Sequence, residues 1–272
     1  MKEFKSFYKT VGGNEGNKCN YPTRLDTYGC GCQHDCEYCY AKSLLDFRGL
    51  WDAENPSVAD IKKIRRKIEK LPKDMYPIRL GGMTDCFQAC EREYGVTKET
   101  LKILKETRHP YLIVTKSDLI ADDSYIEVLD KELAHIQVTI TMFDDDRYKK
   151  LGYEKAPLPS VRIKAVEKLQ SLGFDVSVRL SPCIPEFVDF EKLSQIKCDK
   201  LLVEFLRVNT WIKKWFTEVD FTPYTLKHGG YNHLPLEEKK KILEKIHGFK
   251  EVTICEDEDE AYNYWRNNFN PN

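Results

Sequence analysis

Gly31-Cys32-Gln33-His34-Asp35-Cys36-Glu37-Tyr38-Cys39-Tyr40 sets three thiols in a C-x3-C-x2-C spacing. A run this short lets all three turn onto one inorganic centre. Thiolates are the usual protein ligands of a [4Fe–4S] cube, and three of them leave one iron open to another ligand. An open iron suits a cluster that binds and reduces a small molecule. The same cysteines with His34 also suit a structural zinc knot. Spacing alone leaves both readings of Cys32, Cys36 and Cys39 standing.

Around this loop runs a chain of 272 residues, 41% apolar and 12% aromatic. That composition supports a packed core and excludes a disordered tail. The formal charge of −1 exerts no overall pull on nucleic acid, yet leaves room for a local basic groove. No apolar run reaches the ~18–20 residues that cross a bilayer, and the N-terminus lacks a secretory apolar region. The expectation is a soluble, cytoplasmic protein with no membrane partner. Ten cysteines in such a chain point to metal or redox chemistry, because disulfide scaffolds belong to short secreted chains.

Residues 1–22 are polar, with Val11-Gly12-Gly13-Asn14 among them, and read as an N-terminal arm. Residues 23–272 read as one domain, without repeat, linker or low-complexity segment. A strand over 23–29 delivers the cysteine loop. Asn55 as cap and Pro56 at the first position start a helix striped by Val58, Ile61, Ile64, Ile68 and Leu71. Its Lys62, Lys63, Arg65, Arg66 and Lys67 form a solvated face. Further strands are expected at 76–80, 111–114, 136–140, 174–180, 201–206 and 251–255. Helices are expected at 98–107, 124–133, 159–172 and 190–196, and after Pro235. This alternation implies right-handed crossovers and a parallel sheet. In parallel barrels the working residues lie beyond the C-terminal strand ends. The cysteine loop, Gly81-Gly82, Thr115-Lys116 and Ser181-Pro182-Cys183 all fall at that edge.

The cysteine spacing, with Tyr38 before the last thiol, resembles the signature of the radical S-adenosylmethionine (radical SAM) superfamily. Gly-Cys-x-His-x-Cys-x-Tyr-Cys-Tyr-Ala over residues 31–41 is similar to its spore photoproduct lyase-like branch. Thr84, Asp85 and Glu91 resemble that branch's Thr-Asp-x-x-Gln-x-x-Glu region, and Thr115-Lys116-Ser117 its Thr-Lys-Ser. Thr139 stands where the branch often has serine. Arg162 and Ser181-Pro182-Cys183-Ile184-Pro185 with Asp189 match later motifs, while Tyr153-Glu154-Lys155-Ala156-Pro157 departs from Glu-Pro-x-Ala-Pro. Several motifs in the right order favour the cluster over zinc.

The resemblance implies an α/β fold, a partial (β/α)6 TIM-type barrel with parallel strands, open on one side for a large substrate. It implies a [4Fe–4S] cluster on Cys32, Cys36 and Cys39, with S-adenosyl-L-methionine on the open iron. Gly81 and Gly82 take the place of a glycine-rich motif that receives the amino group of that cofactor. The acidic third residue of the motif is replaced by Met83, which leaves Thr84 and Asp85 as candidate acceptors. Lys116 is the candidate partner of the cofactor carboxylate. Thr139 and Arg179 add polar contacts, and Tyr38 lies against the adenine. Tyr40 looks like the branch's hydrogen-transfer tyrosine, although both tyrosines read equally well as packing around the loop. The branch's lyase carries a cysteine hydrogen donor where this chain has Gly82. Cys86 is the candidate substitute, with Cys90 on its face at i+4 if the segment is helical. Cys183 is a second candidate thiol, Cys30 an alternative ligand beside Cys32, and Cys19, Cys198 and Cys255 are unassigned.

Between residues 207 and 231, Trp211, Trp215, Phe216, Phe221, Tyr224 and Tyr231 interleave with Lys213, Lys214, Lys227 and His228. Such a segment serves as a lid that excludes water or as a platform for nucleobases. The expected reaction is reductive cleavage of S-adenosylmethionine and hydrogen abstraction from an unreactive C–H bond of a nucleobase or nucleic acid. Its partner would be an external one-electron reductant. A peptide or small-metabolite substrate, and a non-catalytic zinc or iron–sulfur module, are the alternatives.

Overall fold

A computed structural model describes residues 4–9, 23–72 and 76–269. Cys19 and residues 10–22 of the expected arm lie outside the described residues. The strands are β1 (Phe7–Lys9), β2 (Thr23–Leu25), β3 (Tyr28–Gly29), β4 (Ser57–Val58), β5 (Ile78–Leu80), β6 (Tyr111–Thr115), β7 (Ala134–Thr139), β8 (Asp175–Cys183), β9 (Lys200–Phe205), β10 (Leu226–His228), β11 (Tyr231–His233) and β12 (Glu251–Cys255). The main sheet runs β1-β2-β5-β6-β7-β8-β9-β12. Every pairing from β2 to β12 is parallel. Ile78, Leu80, Ile113, Ile136, Val138, Val178, Leu180 and Val203 are all buried in one core. Continuous apolar strands of this kind need cover on both faces, which crossover helices provide. The end strands β1 and β12 do not pair with each other, so the α/β sheet stays open as a partial barrel.

The structure also departs from the sequence reading. The parallel run counts the seven strands expected from the apolar pattern (β2, β5 to β9 and β12), one more than the six the resemblance implies. Residues 7–9 of the arm are strand β1, antiparallel to β2. The strand expected over 23–29 breaks at Asp26, whose carboxylate accepts from Gly82 N–H at 2.7 Å, Met83 N–H at 2.9 Å and the Tyr8 hydroxyl at 2.7 Å. Asp60, not Asn55, caps the helix Ile61–Ile68 by accepting from Lys62 N–H and Lys63 N–H. The helix expected at 124–133 shrinks to the turn Asp123–Ile126. There the Tyr111 hydroxyl takes Asp130 N–H at 3.0 Å and the Asp130 carboxylate takes Glu132 N–H at 3.0 Å, diverting the chain into β7. Pro159 begins the helix Pro159–Ser171, as its sequence position requires. Among the described residues, no helix is long and apolar enough to cross a membrane.

A charge ladder crosses the N-terminal ends of four adjacent strands. Asp175 pairs with His135 at 2.8 Å and Lys200 at 2.9 Å, and Lys200 reaches Glu251 at 3.7 Å. The His135 hydrogen bond outweighs burial and, with Lys200, holds the Asp175 carboxyl at about 2. A carboxyl depressed below its unfolded value of ~3.9 stabilises the fold above that pH and stops doing so as pH falls toward 2. Asp175 is 40% exposed, so solvent screening limits its contribution to at most about 1 kcal/mol. Asp175→Asn is therefore expected to lower the urea midpoint at pH 6 and to lose most of that deficit by pH 2.5. An equal deficit at both values would contradict this assignment.

Candidate active site

The C-terminal ends of β5 to β9 open onto a cavity of ≈ 750 Å³. Its wall holds Cys32, Cys36, Cys39, Tyr38, Tyr40, Gly81, Gly82, Thr84, Asp85, Lys116, Thr139 and Arg179. Cys86 and the alternative thiols Cys30 and Cys183 are not on this wall.

The cysteine loop is a series of tight turns. Asp35 N–H donates to Cys32 O at 2.9 Å and Cys39 N–H to Cys36 O at 3.1 Å. Asp35 adopts φ +42°, and its carboxylate is gripped by Lys42 at 2.9 Å and Lys155 at 3.0 Å. Gln33 N–H donates to Gln88 Oε1 at 2.8 Å, and Gln33 Oε1 accepts from Cys90 N–H at 2.6 Å. Peptide N–H groups of Asp85 and His34 face the Cys32 sulfur, and those of Lys42 and Ala41 face that of Cys39. Burial, then Asp85 and Cys36, push the Cys32 thiol well up, while burial and Cys36 raise Cys39. Thiols in such surroundings give up their protons to a bound cationic centre.

The sulfurs are not gathered onto a single point. One tetrahedral zinc with Zn–S near 2.3 Å holds its thiolates only ~3.8 Å apart. Among the described residues, the set of three or more possible metal ligands lying within 4.8 Å of one another is His233, Glu256 and Asp257. The three cysteines, with or without His34, do not converge that far. A four-iron cube seats each thiolate on a separate iron and accepts the wider spacing. The acidic set is already neutralised by cations, with Lys239 2.5 Å from Glu256 and Arg207 3.1 Å from Asp257.

Thr84 and Asp85, expected as acceptors for a ligand, are committed to the protein. Thr84 Oγ1 donates to Tyr28 O at 2.5 Å. Asp85 accepts from Lys116 N–H at 2.7 Å, Phe87 N–H at 2.8 Å and Thr115 Oγ1 at 2.8 Å, with His34 Nε2 at 3.2 Å. Burial works against its charge, but His34 and the peptide donors outweigh it and hold the carboxyl at about 2. Asp85 thus fastens the cysteine loop to the ends of β5 and β6. Gly81 needs its φ of +83°, and a Cβ there would strike Val114 O. A Cβ on Gly82 would fall on the Tyr8 hydroxyl. The Gly82 carbonyl accepts from the Tyr40 hydroxyl at 2.5 Å. Cys86 lies in a turn, buried, with its thiol directed at Leu25 O at 3.7 Å. Because 86–90 is not helical, the i, i+4 relation to Cys90 does not arise. Cys183 is fully buried in β8, away from the cavity wall, and burial pushes its thiol up to about 12.

Tyr38 stacks on Phe216 with centroids 5.2 Å apart and meets the edge of Tyr153 at 5.9 Å. Lys116 Nζ sits 5.4 Å from the centroid of the Tyr38 ring. Buried Arg162 donates to Thr139 O at 3.1 Å and fixes that part of the floor. Arg179 forms an ion pair with Glu204, which also meets Arg207 at 3.1 Å and Ser181 Oγ at 2.7 Å. Burial opposes the Glu204 charge, but Arg179 and Arg207 hold it at about 2. From the aromatic segment, Trp211 and Trp215 of the helix Thr210–Trp215 and Tyr231 of β11 line the rim. Phe47 and Trp51, which sequence reasoning missed, line the same cavity. Two aromatics four residues apart just past the cysteine helix were the available signal. Glu204, the one charge in the apolar run 201–206, was another.

A family profile described as the radical SAM superfamily matches residues 27–193. An uncharacterized protein of Methanocaldococcus jannaschii is 28% identical over 167 residues, a match covering 59% of this chain and 60% of that protein. The chain therefore spans under two thirds of the length of this curated relative. Spore photoproduct lyase complexed with dinucleoside spore photoproduct superposes with TM-score 0.59 at 14% identity, over 86% of this chain and 76% of that one. Streptococcus suis SuiB bound to S-adenosylmethionine superposes with TM-score 0.52 at 17% identity, over 83% and 47%. At such identities the likeness shows the shared partial barrel alone. The profile match covers more than half of the chain and contains the cysteine loop and most of the cavity wall. The protein belongs to the radical SAM superfamily.

Proposed function

We propose that Cys32, Cys36 and Cys39 hold a [4Fe–4S] cluster with S-adenosyl-L-methionine beside it, and that the enzyme removes hydrogen from an unreactive C–H bond of a nucleobase-bearing substrate. One observation carries this reading. Three thiols line one cavity with Lys116, the glycine pair and Tyr40. When bound, the cofactors supply a one-electron cleavage whose carbon radical takes such a hydrogen.

The chain's own residues bind, orient and shield. Lys116 meets a carboxylate, while Thr139 and Arg179 supply polar contacts on the floor. Tyr38, braced by Phe216, flanks the adenine, and the aromatic rim keeps out water. The Tyr40 hydroxyl, held on Gly82 O, stands at the wall as a hydrogen donor; Cys86, sunk in the core, is set aside from that role. Phe47, Trp51, Trp211 and Trp215 suit flat rings, and Arg48 and Arg207 among the lining residues suit phosphates. That solved spore photoproduct lyase binds a dinucleoside supports the same substrate class. The enzyme would work in the cytoplasm with an external one-electron reductant.

Anaerobic reconstitution tests the reading. About four irons per chain, and 5′-deoxyadenosine formed from S-adenosylmethionine under dithionite, are expected. One tightly held zinc without cleavage would return the protein to the class of metal-binding modules. Deuterium should enter 5′-deoxyadenosine from labelled nucleotides or DNA. Transfer only from peptides or small metabolites would keep the enzyme and replace the substrate.

A further inference from the structure

One face of the helix Ile61–Ile68 gathers charge of a single sign. Residues 60–70 hold six cations against two carboxylates, in a chain whose formal charge is −1. Ile64 and Ile68 turn into the core, while Lys62, Lys63, Arg65, Arg66, Lys67 and Lys70 are exposed. Asp60 is spent as the cap on Lys62 N–H and Lys63 N–H. Glu69 stands 3.8 Å from Arg65, which already holds Glu106 at 2.7 Å. Lys62, Arg66, Lys67 and Lys70 form no ion pair among the described residues. Such a face works against the helix that carries it. Like charges meet at i, i+4 in Lys62–Arg66, Lys63–Lys67 and Arg66–Lys70. Lys62 and Lys63 also stand in the first turn, where the helix dipole repels cations, and apart from the cap no acid accompanies them there.

The loop end of this helix is held against the root of the cysteine loop. Asp52 N–H donates to Cys30 O at 2.7 Å, Ser57 pairs with Gly29 across β3 and β4, and Ala59 N–H donates to Thr27 O at 3.0 Å. No residue from 52 to 70 lines the cavity, so the face looks away from the mouth. Cations nearer the loop are engaged: Lys42 and Lys155 hold Asp35 at 2.9 Å and 3.0 Å. With cofactor and substrate filling the mouth, an electron donor must approach the loop from another side. A donor protein with a negative surface is steered to a basic face at a rate that salt suppresses.

We propose that the exposed face of the helix Ile61–Ile68 docks an acidic one-electron carrier protein, with Lys62, Lys63 and Arg66 at the loop end making the first contacts. The step moves one electron and no atom: the carrier's reduced centre is oxidised and the cysteine-bound cluster is reduced. The assignment rests on the cofactor reading above, to which it adds the charge of the reductant and its place. Redox encounters of this kind bury under about 1,200 Å², which a short helix face with its surroundings can supply.

Complex formation without turnover tests it. Reconstituted protein is titrated with a fluorescently labelled, oxidised plant-type [2Fe–2S] ferredoxin of strongly negative net charge. Cluster reduction is followed separately by stopped flow, with the same ferredoxin reduced and with dithionite. Lys62→Glu combined with Arg66→Glu is expected to weaken ferredoxin binding about tenfold at low ionic strength, and to differ little from native at ~1 M salt. Its iron content and its reduction by dithionite should stay native. Lys240→Glu with Lys241→Glu makes the same change in net charge on the helix Leu236–Leu243 and should leave ferredoxin binding intact. Native ferredoxin affinity in the first variant overturns the proposal, as does equal weakening in the second. So does a first variant that loses affinity for a labelled oligonucleotide and not for the ferredoxin, which would make this a nucleic-acid face. A native protein that assembles no cluster sinks the cofactor reading instead.

Discussion

Cys32→Ala, Cys36→Ala and Cys39→Ala each emerge from anaerobic reconstitution without an iron–sulfur chromophore, whereas Cys86→Ala keeps native iron content. The asymmetry follows from position. Each of the three thiols lines the cavity. Removing one leaves an iron without a protein anchor, and the rest of the loop has no spare thiolate turned inward. Cys86 faces Leu25 O inside the core, where truncation to Ala costs packing of about 1 kcal/mol and no ligand. Iron and sulfide assays with the visible spectrum decide the matter. Iron retained by any of the three loop variants contradicts the ligand assignment.

Glu91→Ala is expected to lose about 3–5 kcal/mol of stability. This carboxylate is 1% exposed. It accepts from the Tyr28 hydroxyl at 2.5 Å, the Tyr125 hydroxyl at 2.7 Å, Thr97 N–H at 2.8 Å and Lys98 N–H at 2.9 Å. Truncation abandons four buried donors, two of them at the start of the helix Val96–Thr107. In a chain of this size such a deficit lowers the melting temperature by roughly 10 °C. Glu91→Gln, isosteric and still an acceptor, should lose less than half as much. Urea denaturation measures both variants. A Glu91→Ala deficit under about 1 kcal/mol would show that water replaces the lost acceptor. Tyr28 leads into the cysteine loop, so the variant should also load iron less completely.

The parts of the molecule written in short-range patterns were legible beforehand. Ligand spacing in the cysteine loop is local, and buried parallel strands announce themselves as unbroken apolar runs. Hydrogen-bond saturation is not local. Asp85 beside Gly81-Gly82 reads as a free acceptor, yet its donors come from His34, Phe87, Thr115 and Lys116. No window of sequence encodes that convergence. Asn55 and Asp60 both look like helix caps, and only the second stands where unpaired helical N–H groups begin. The Cys86–Cys90 relation presupposed a helix that the chain replaces with turns. Phe47 and Trp51 joined the cavity lining only once the fold brought them to the same cavity as Trp211.

Strand β1 carries a practical corollary. Tyr8 is what occupies the space behind Gly82, and it is one of three donors satisfying Asp26. Clones trimmed to begin after residue 9 would hollow out the rear of the cofactor chamber and slacken the peptide that seats Tyr40. Loss of residues 7–9 should therefore be scored as damage to the wall behind Gly82.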